Sequence, residues 1–355
     1  MTKTAVVYSP KYLNHKAGLH HPESPSRLRV ILRELNKSRL LKNENCSLVE
    51  PDIASIKDLK LVHESDYIQL VQRICRSGGG LLDLGDTVVS PKSYEVARLA
   101  VGGTLKAVDL VMTGKFSNAF ALVRPPGHHA GPYYPMGFCV FNNIAVAASL
   151  LLENFNLNRV LILDIDAHHG NGTQETFYRS KKVLYISLHE DPSLFPLTGF
   201  AEENGEDEGL GYTVNIPLPF GTNDKIYLKA FNEIAVPIIT QYKPQFILVS
   251  TGFDNHRTDP VAELSLSAYS YVKIFDAILE SASKLCQGRL VAALEGGYNL
   301  RFLGKMAAAV TARMAEIPYS IRDKRSGAVS EIRKTGEKMI EKVKKIHSSF
   351  WDMKL

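Results

Sequence analysis

The chain has 355 residues, of which 45% are apolar, so it can bury the core of one large domain or of two average ones. Its apolar runs fall short of the roughly 20 residues that a membrane-spanning helix needs, and no signal-peptide pattern precedes the first apolar segment. The four cysteines form no Cys-x-x-Cys pair, which argues against a disulfide framework and a thiolate zinc site. We therefore expect a cytoplasmic protein without a membrane partner.

Strand and helix patterns alternate along the chain. The predicted strands, which are short apolar runs, are 5–8, 119–123, 160–163, 183–188, 213–216, 246–250 and 290–294. The predicted helices are 28–35, 65–76, 93–112, 144–155, 224–242 and 267–285, with Ser26 capping the first and Asn142 or Asn143 the fourth. This alternation predicts an α/β fold in residues 1–317, a single-domain, open, doubly wound and mostly parallel sheet with helices on both faces.

The net charge of +5 arises in the segment at 318–355. From Ser320 onward the chain has ten lysines and arginines but only five acidic residues, which accounts for the whole excess of positive charge. The rest of the chain has no net charge, so nucleic-acid binding is not expected. Apolar residues recur at helical spacing between Ala328 and Phe350, which predicts a basic amphipathic helix. Packing onto the domain and a homo-oligomer contact are both open for this helix.

The stretch from Arg159 to Gln174 carries the most concentrated chemical signal. Val160 to Leu163 is typical of a strand buried on both faces, and Asp164, Asp166 and His168 follow it. Alternate side chains of an extended chain share a face, so these polar groups can point in the same direction. A carboxylate and an imidazole on one side of a strand end can share a metal ion, although a polar loop would give the same pattern.

Five predicted strands end in polar or glycine-rich sequence, and the carboxyl ends of parallel strands meet at one edge of a sheet. Asp254 follows the strand at 246–250 and is the natural third ligand beside Asp166 and His168. Two carboxylates and one imidazole suit Zn²⁺ first and Fe²⁺ second, with one coordination position left for water. An ion of this kind makes water a nucleophile at neutral pH, which indicates catalysis.

Two further strand ends contain other groups that hydrolysis needs. His128 and His129 lie on a proline-fixed loop, and histidine titrates in the range of a general base. Tyr298 follows two glycines on a flexible backbone and can donate a hydrogen bond to a carbonyl as it becomes an oxyanion. Singly, a hydrogen-bonded loop or a packing residue would explain these side chains. Beside the metal ligands, they predict hydrolysis of an amide or ester.

Six segments occur in the order seen in zinc-dependent histone deacetylases and their prokaryotic relatives, and the chain resembles this family from about Ala5 to Ala315. They are Arg-Pro-Pro-Gly-His-His-Ala, Gly-Phe-Cys-Val-Phe-Asn-Asn, Asp-Ile-Asp-Ala-His-His-Gly-Asn-Gly-Thr-Gln, Ser-Leu-His, Gly-Phe-Asp and Leu-Glu-Gly-Gly-Tyr. The last two segments, and Asn171 in place of a class I aspartate, are closest to class II enzymes and acetylpolyamine amidohydrolases. The resemblance implies an arginase/deacetylase fold and removal of acetyl or other short acyl groups from acyl-lysine side chains or related acyl-amines.

For the reaction, the resemblance implies that His129 is the general base and then the acid to the leaving amine. His128 would be its electrostatic partner, held by Asp164, and Tyr298 would bind the substrate carbonyl and the oxyanion. The implied zinc ligands are Asp166, His168 and Asp254.

The resemblance also implies a substrate channel and structural cations. Phe138 and Phe195 would form the walls of a narrow apolar channel, and Gly137 would offer its carbonyl to the scissile N–H. The implied K⁺ site is formed by Asp164, Ser187, Leu188 and the backbone of Asp166 and His168, and a second cation site by Phe177, Ser180, Val183 and Tyr212.

Two rival functions stand beside the deacetylase. An arginase-like ureohydrolase with two metal ions needs a carboxylate two residues after His168 and another two after Asp254, where this chain has Gly170 and His256. A catalytically silent module that binds acyl-amines is the second rival, and the presence of Tyr298 argues against it.

The substrate class divides the deacetylase hypothesis itself. Polyamine-specific relatives place a carboxylate after the Asp-Pro that follows Gly-Phe-Asp, whereas Val261 stands there in this chain and favours acyl-lysine or neutral substrates. The His-Ala-Gly-Pro-Tyr-Tyr loop at 129–134 and the segment at 199–203 look like the polyamine branch. The acids of that segment, with Asp83 and Asp86, would attract a cation, although a solvated loop also explains them. Acyl-lysine proteins or peptides and small acyl-amines therefore both stand as predicted substrates.

Overall fold

The computed structural model describes residues 3–327 and 329–353, so Ala328, where the predicted tail helix begins, lies outside the described residues. The strands are β1 (Thr4–Val7), β2 (Cys46–Val49), β3 (Gly80–Leu81), β4 (Val88–Val89), β5 (Asn118–Ala121), β6 (Val160–Asp164), β7 (Val183–Glu190), β8 (Thr213–Leu218), β9 (Phe246–Thr251) and β10 (Leu290–Leu294). The helices are α1 (Ser26–Lys37), α2 (Ile56–Leu59), α3 (Ser65–Arg76), α4 (Ser93–Met112), α5 (Asn143–Glu153), α6 (Asn171–Phe177), α7 (Asp224–Ala230), α8 (Val236–Tyr242), α9 (Ala268–Cys286), α10 (Leu303–Met314) and α11 (Ser330–His347). A π-helical turn at Phe231–Ala235 joins α7 to α8.

Eight parallel strands form one sheet in the order β2-β1-β5-β10-β9-β6-β7-β8. β6, β9 and β10 are mostly apolar and completely buried, as expected for strands that helices cover on both faces. Helices α4 and α5 pack together in one layer on the sheet, and α1, α9 and α10 pack together in another. The predicted fold class is therefore confirmed.

The path of the chain brings the predicted strand ends together. After β5 the chain builds β6, β7 and β8 outward, and it then returns to insert β9 and β10 between β5 and β6. The carboxyl ends of β5, β10, β9 and β6 consequently lie side by side, with β7 next to them. Ligands of open parallel sheets bind beyond this edge, so the topology alone gathers the five polar segments at one site.

Some element boundaries differ from the sequence-based predictions. β7 does not end at Leu188 but continues through His189 and Glu190, because both residues pair with β8. Ser26 is the first residue of α1 and Pro25 is at the N-cap position, so the predicted Ser26 cap is wrong, whereas Asn142 does cap α5. The short edge strand β2 and the β3–β4 hairpin were not predicted, because their sequences are too short to show a clear period.

The tail helix α11 packs against β8 and α7. Ile340 and Val343 are buried in the main hydrophobic core, whereas Phe350 beyond the helix is 38% exposed. Trp351 donates its indole N–H to the Gly211 carbonyl oxygen at 2.9 Å. The amphipathic face of the tail thus lies on the domain. Among the residues that the structure describes, no helix is both long enough and apolar enough to span a bilayer.

His347 should make the docking of α11 depend on pH. Its imidazole is fully buried, neither ring nitrogen has a hydrogen-bond partner among the described residues, and burial lowers its pKa to about 4. In an undocked tail the pKa is near 6.5, so the docked state binds fewer protons below that pH. The contribution of neutral His347 to the free energy of docking is therefore complete above about pH 6.5. It is lost as the pH falls toward 4, which weakens docking by up to about 3 kcal/mol.

The single tryptophan of the chain can report this transition, because Trp351 lies in the docked segment with its ring 5.6 Å from the ring of Tyr212. We expect its fluorescence to shift to longer wavelength between about pH 6.5 and 4 in the wild type, and much less in His347→Leu. His20→Leu, at an exposed histidine, is the matched control. An unchanged response in His347→Leu would show that another group drives the transition.

Candidate active site

Asp166, His168 and Asp254 converge at the carboxyl edge of β6 and β9. One ligand atom from each of them lies within 4.8 Å of the other two, and both acids are buried. The His168 Nδ1 atom lies 3.3 Å from a carboxylate oxygen of each acid. Burial lowers the pKa of His168, but the two adjacent carboxylates outweigh burial and raise it. The predicted ligands are thus brought together in one buried cluster.

Backbone groups hold the two carboxylates in place. The Gly296 N–H donates to Asp166 Oδ2 at 2.8 Å, and the Ala167 N–H donates to Asp254 Oδ1 at 3.0 Å. A Cβ atom on Gly252 or Gly296 would overlap the carboxylate oxygens. At Gly296, glycine thus serves the close approach of the chain to both acids.

The donor set fits a divalent cation. Asp254 Oδ2 is buried and has no hydrogen-bond partner among the described residues, and two buried carboxylates side by side need positive charge. Oxygen and imidazole donors suit Zn²⁺ or Fe²⁺, and three protein ligands leave a coordination position open. At the two positions where a second ion of the arginase type would need carboxylates, Gly170 has no side chain and His256 Nε2 lies 3.0 Å from Asp323.

The two histidines of the β5 loop stand in different electrostatic environments. Burial lowers the pKa of His128, but the charges of Asp164 and Asp166 outweigh burial and raise it to about 10. The His128 Nδ1 atom lies 3.1 Å from Asp164 Oδ2. Burial and the charge of His128 lower the pKa of His129 well below its ordinary value, and its Nδ1 atom lies 2.7 Å from Asn171 Oδ1. A cationic and a neutral imidazole thus lie with ring centroids 4.0 Å apart.

The loop with these histidines is held by charged residues that the sequence analysis did not single out. Glu295 Oε2 accepts the N–H groups of Gly127 at 2.6 Å and of His128 at 3.2 Å, and burial raises the pKa of Glu295 to about 7. At the start of the loop, buried Arg124 pairs with buried Glu23 at 2.5 Å. The sequence signal that could have pointed to Glu295 is its position as a charged residue directly after the apolar strand β10.

A cavity of about 230 Å³ leads to the candidate metal ligands. Phe138 and Phe195, for which the resemblance implies the role of channel walls, line this cavity. The ring centroid of Phe195 lies 5.0 Å from that of His129, and the centroid of Phe138 lies 5.7 Å from that of Tyr298. The remaining predicted substrate residues, Gly137 and Val261, line the same cavity.

Tyr298 is positioned by contacts on its ring and on its backbone. The guanidinium carbon of Arg27 lies 4.8 Å from the centroid of the Tyr298 ring, and the Tyr298 N–H donates to Asp259 Oδ2 at 2.7 Å. Burial raises the pKa of Tyr298 well above its ordinary value, so the hydroxyl stays protonated at neutral pH. A protonated phenol at the cavity wall can donate a hydrogen bond to a substrate oxygen.

The cavity also has an acidic lining. Besides Asp166, its carboxylates are Asp86, Glu190, Asp191 and Glu263, and no lysine or arginine lies among its described lining residues. Glu190 is only 7% exposed, and its Oε1 atom lies 3.7 Å from His168 Nε2. Burial raises the pKa of Glu190 to about 7. Glu190 was expected in the polar segment that ends the predicted strand at 183–188, without a role of its own.

The residues implied for structural cations lie at the two ends of β7. At the carboxyl end, Asp164 and Ser187 are register partners, and the Leu188 carbonyl accepts the Tyr227 hydroxyl at 3.3 Å. At the other end, the Ser180 N–H donates to the Phe177 carbonyl at 2.9 Å, Val183 begins β7, and Tyr212 precedes β8. Each set is thus gathered in one region of the fold.

Comparison with known proteins identifies the family. Residues 21–314 match the histone deacetylase domain. The chain is 40% identical to a probable deacetylase of Archaeoglobus fulgidus over 98% of each chain, and 36% identical to a histone deacetylase-like amidohydrolase of Pseudomonas aeruginosa over 90% of this chain and 88% of the relative. The fold matches the crystal structure of the HDA15 HD domain with a TM-score of 0.88 and 35% identity, over 99% of this chain and 97% of that chain. The chain therefore belongs to the histone deacetylase family and is a hydrolase of the deacetylase type, as its motifs predicted.

Proposed function

We propose that the protein is a Zn²⁺-dependent amidohydrolase that removes acetyl or another short acyl group from acyl-lysine side chains or related acyl-amines. The observation that carries this proposal is the convergence of three metal-type ligands, a neutral imidazole at His129 and a protonated phenol at Tyr298 around one cavity. Asp166, His168 and Asp254 would hold the ion, which when bound supplies a Lewis acid for the carbonyl and lowers the pKa of water.

The side chains around the cavity can perform the proton transfers. His129 Nε2 takes a proton from the attacking water and then donates it to the leaving amine, so that the C–N bond breaks and a carboxylate and an amine are released. Tyr298 donates a hydrogen bond to the developing oxyanion, and the cationic His128, held by Asp164, stabilises the negative charge. The Gly137 carbonyl accepts the scissile N–H and so orients the amide.

Structural cations are part of the same proposal. We infer that K⁺ binds beside Asp164, Ser187 and Leu188, because a carboxylate, a hydroxyl and backbone carbonyls are oxygen donors of the kind that hard cations prefer. At this place the cation would support the strand ends that hold His128 and the metal ligands.

Hydrolysis of acetylpolyamines is a second candidate, favoured by the acidic lining of the cavity. Beyond its acetamide group, a polyamine carries ammonium groups that Glu190 and Asp86 would attract. Val261, by contrast, is an apolar residue at the cavity wall, where it would pack against the methylene groups of a lysine side chain, and it therefore favours an acyl-lysine substrate.

Acetate release from acetyl-lysine peptides, acetylspermidine and acetylputrescine tests the proposal. We expect the acetyl-lysine peptide to have the highest kcat/KM. At pH 8, where Glu190 is mainly ionised, Glu190→Gln should lower kcat/KM more for the acetylpolyamines than for the peptide, because the carboxylate attracts their extra charges. A preference for an acetylpolyamine of more than about tenfold, roughly 1.4 kcal/mol, would favour the second candidate. No turnover of any acyl-amine by zinc-loaded protein would contradict both.

A further inference from the structure

We propose that Tyr134 and Glu175 are positioning residues that fix the orientation of the Asn171 amide and, through it, the tautomer of His129. The inference rests on the proposed role of His129 as proton acceptor. Neither Tyr134 nor Glu175 lines the substrate cavity, so both would act on the reaction only through Asn171.

The hydrogen-bond chain begins on α6. Asn171 and Glu175 are separated by one helical turn and share a face of the helix. The Tyr134 hydroxyl bridges them, at 3.2 Å from Asn171 Nδ2 and 2.6 Å from Glu175 Oε2. A carboxylate only accepts hydrogen bonds, so the hydroxyl donates its proton to Glu175. The hydroxyl oxygen is then left to accept a hydrogen bond from the amide nitrogen of Asn171.

This arrangement decides which end of the amide faces the catalytic imidazole. With Nδ2 at Tyr134, Asn171 Oδ1 faces His129 Nδ1 at 2.7 Å. Because an amide oxygen only accepts, Nδ1 must carry the hydrogen, and Nε2 keeps the lone pair that accepts a proton. The other neighbours of Nδ2, the His129 carbonyl and Met136 Sδ, lie farther away at 3.4 Å each and support the same orientation.

A flipped amide would favour the wrong tautomer. It would place the NH₂ group of Asn171 against His129 Nδ1, so that Nδ1 accepts and Nε2 carries the hydrogen. An aspartate at this position would have no such ambiguity, because either of its oxygens accepts. The asparagine in this chain therefore creates a need for an external group that fixes the amide.

The fold holds Tyr134 firmly in this position. Its ring lies against Gly131, where a Cβ atom would overlap the ring, and the Gly131 N–H donates to the Tyr134 carbonyl at 3.0 Å. Gly172 likewise allows the Ala130 carbonyl to approach α6 closely. The loop after His129 and the start of α6 are thus packed backbone to backbone, with Tyr134 between them.

Tyr133 supplies a matched control. Its hydroxyl donates to the same carboxylate, Glu175 Oε1, at 2.7 Å, but Tyr133 is 62% exposed and makes no hydrogen bond to Asn171 among the described residues. Tyr134→Phe is expected to lower kcat for an acetyl-lysine peptide about 5- to 20-fold, with KM changed less than about twofold. Tyr133→Phe is expected to keep kcat within about twofold.

Two further measurements separate positioning from a general structural effect. In an Asn171→Asp background, the additional Tyr134→Phe substitution should lower kcat less than about twofold, because a carboxylate needs no orientation. Nitrogen-15 NMR of histidine-labelled protein, which requires no activity, should show Nδ1-protonated His129 in the wild type and a mixture of tautomers in Tyr134→Phe.

Other outcomes would overturn the inference. They are a loss of kcat in Tyr134→Phe that is equal in the wild-type and Asn171→Asp backgrounds, an equal loss in Tyr133→Phe, or one unchanged His129 tautomer in Tyr134→Phe. An inactive wild-type protein would instead overturn the proposed function, and the NMR comparison would still decide whether Tyr134 fixes the amide.

Discussion

Asp254→Ala should abolish deacetylation and weaken Zn²⁺ binding by at least about 100-fold. Asp254 is the only one of the three ligands with a buried oxygen that lacks a hydrogen-bond partner among the described residues, which makes it the group that most needs the cation. Without it, Asp166 and His168 leave too few protein donors for a catalytic zinc site. Because the ion contributes several kcal/mol to transition-state stabilisation, kcat/KM should fall by more than about 1,000-fold.

Thermal unfolding with and without Zn²⁺, combined with analysis of the bound metal, measures the loss of zinc binding. The wild type should be stabilised by the ion, whereas Asp254→Ala should not respond to it. Without metal, the variant should be at least as stable as the wild type, because the substitution removes one of two adjacent buried carboxylates. Asp276→Ala, at an acid of a surface ion pair with Arg313, is the control. Stoichiometric zinc in Asp254→Ala would mean that the third ligand is a different residue.

Tyr298→Phe should lower kcat about 100- to 1,000-fold while leaving the bound zinc in place. The substitution keeps the ring that contacts Phe138 and Arg27, so the cavity wall should be preserved. It removes only the hydroxyl, whose proposed hydrogen bond to the oxyanion is made mainly in the transition state, so KM should change little.

Steady-state kinetics and metal analysis of the same Tyr298→Phe sample test this expectation. The control is Tyr319→Phe, which removes the hydroxyl of a partly buried tyrosine that donates to Glu34 Oε1. Neither residue is among the described residues that line the cavity, so this variant should keep the wild-type kcat. Unchanged turnover in Tyr298→Phe would take the oxyanion role away from this residue. A loss of zinc would instead assign it to the support of the metal site.

The fold and the metal-type cluster could be predicted because their signals are local. β6, β9 and β10 contain unbroken apolar runs, and Asp166, His168 and Asp254 each follow such a run by a few residues. The general rule for the carboxyl edge of a parallel sheet then brings them together without any knowledge of side-chain positions. His128 and Tyr298 were found in the same way.

The residues that support the site could not be predicted in this way, because their partners are distant in sequence. Tyr134 meets Glu175 across 41 positions, and Glu295 meets the Gly127 N–H across 168. The roles of these side chains depend on the packing of loops, which has no period in the sequence. Glu190 is a different case: it was expected in the polar segment after the strand at 183–188, and pairing with β8 makes it part of β7.

A zinc titration of chelator-treated wild-type protein, with acetate release from an acetyl-lysine peptide as the readout, tests the proposed metal-dependent hydrolysis most directly. We predict no turnover in the stripped protein, recovery that saturates at about one Zn²⁺ per chain, since the proposed site at Asp166, His168 and Asp254 holds a single ion, and no recovery in Asp254→Ala. Full turnover after complete removal of metal, or saturation only at two ions per chain, would contradict this mechanism.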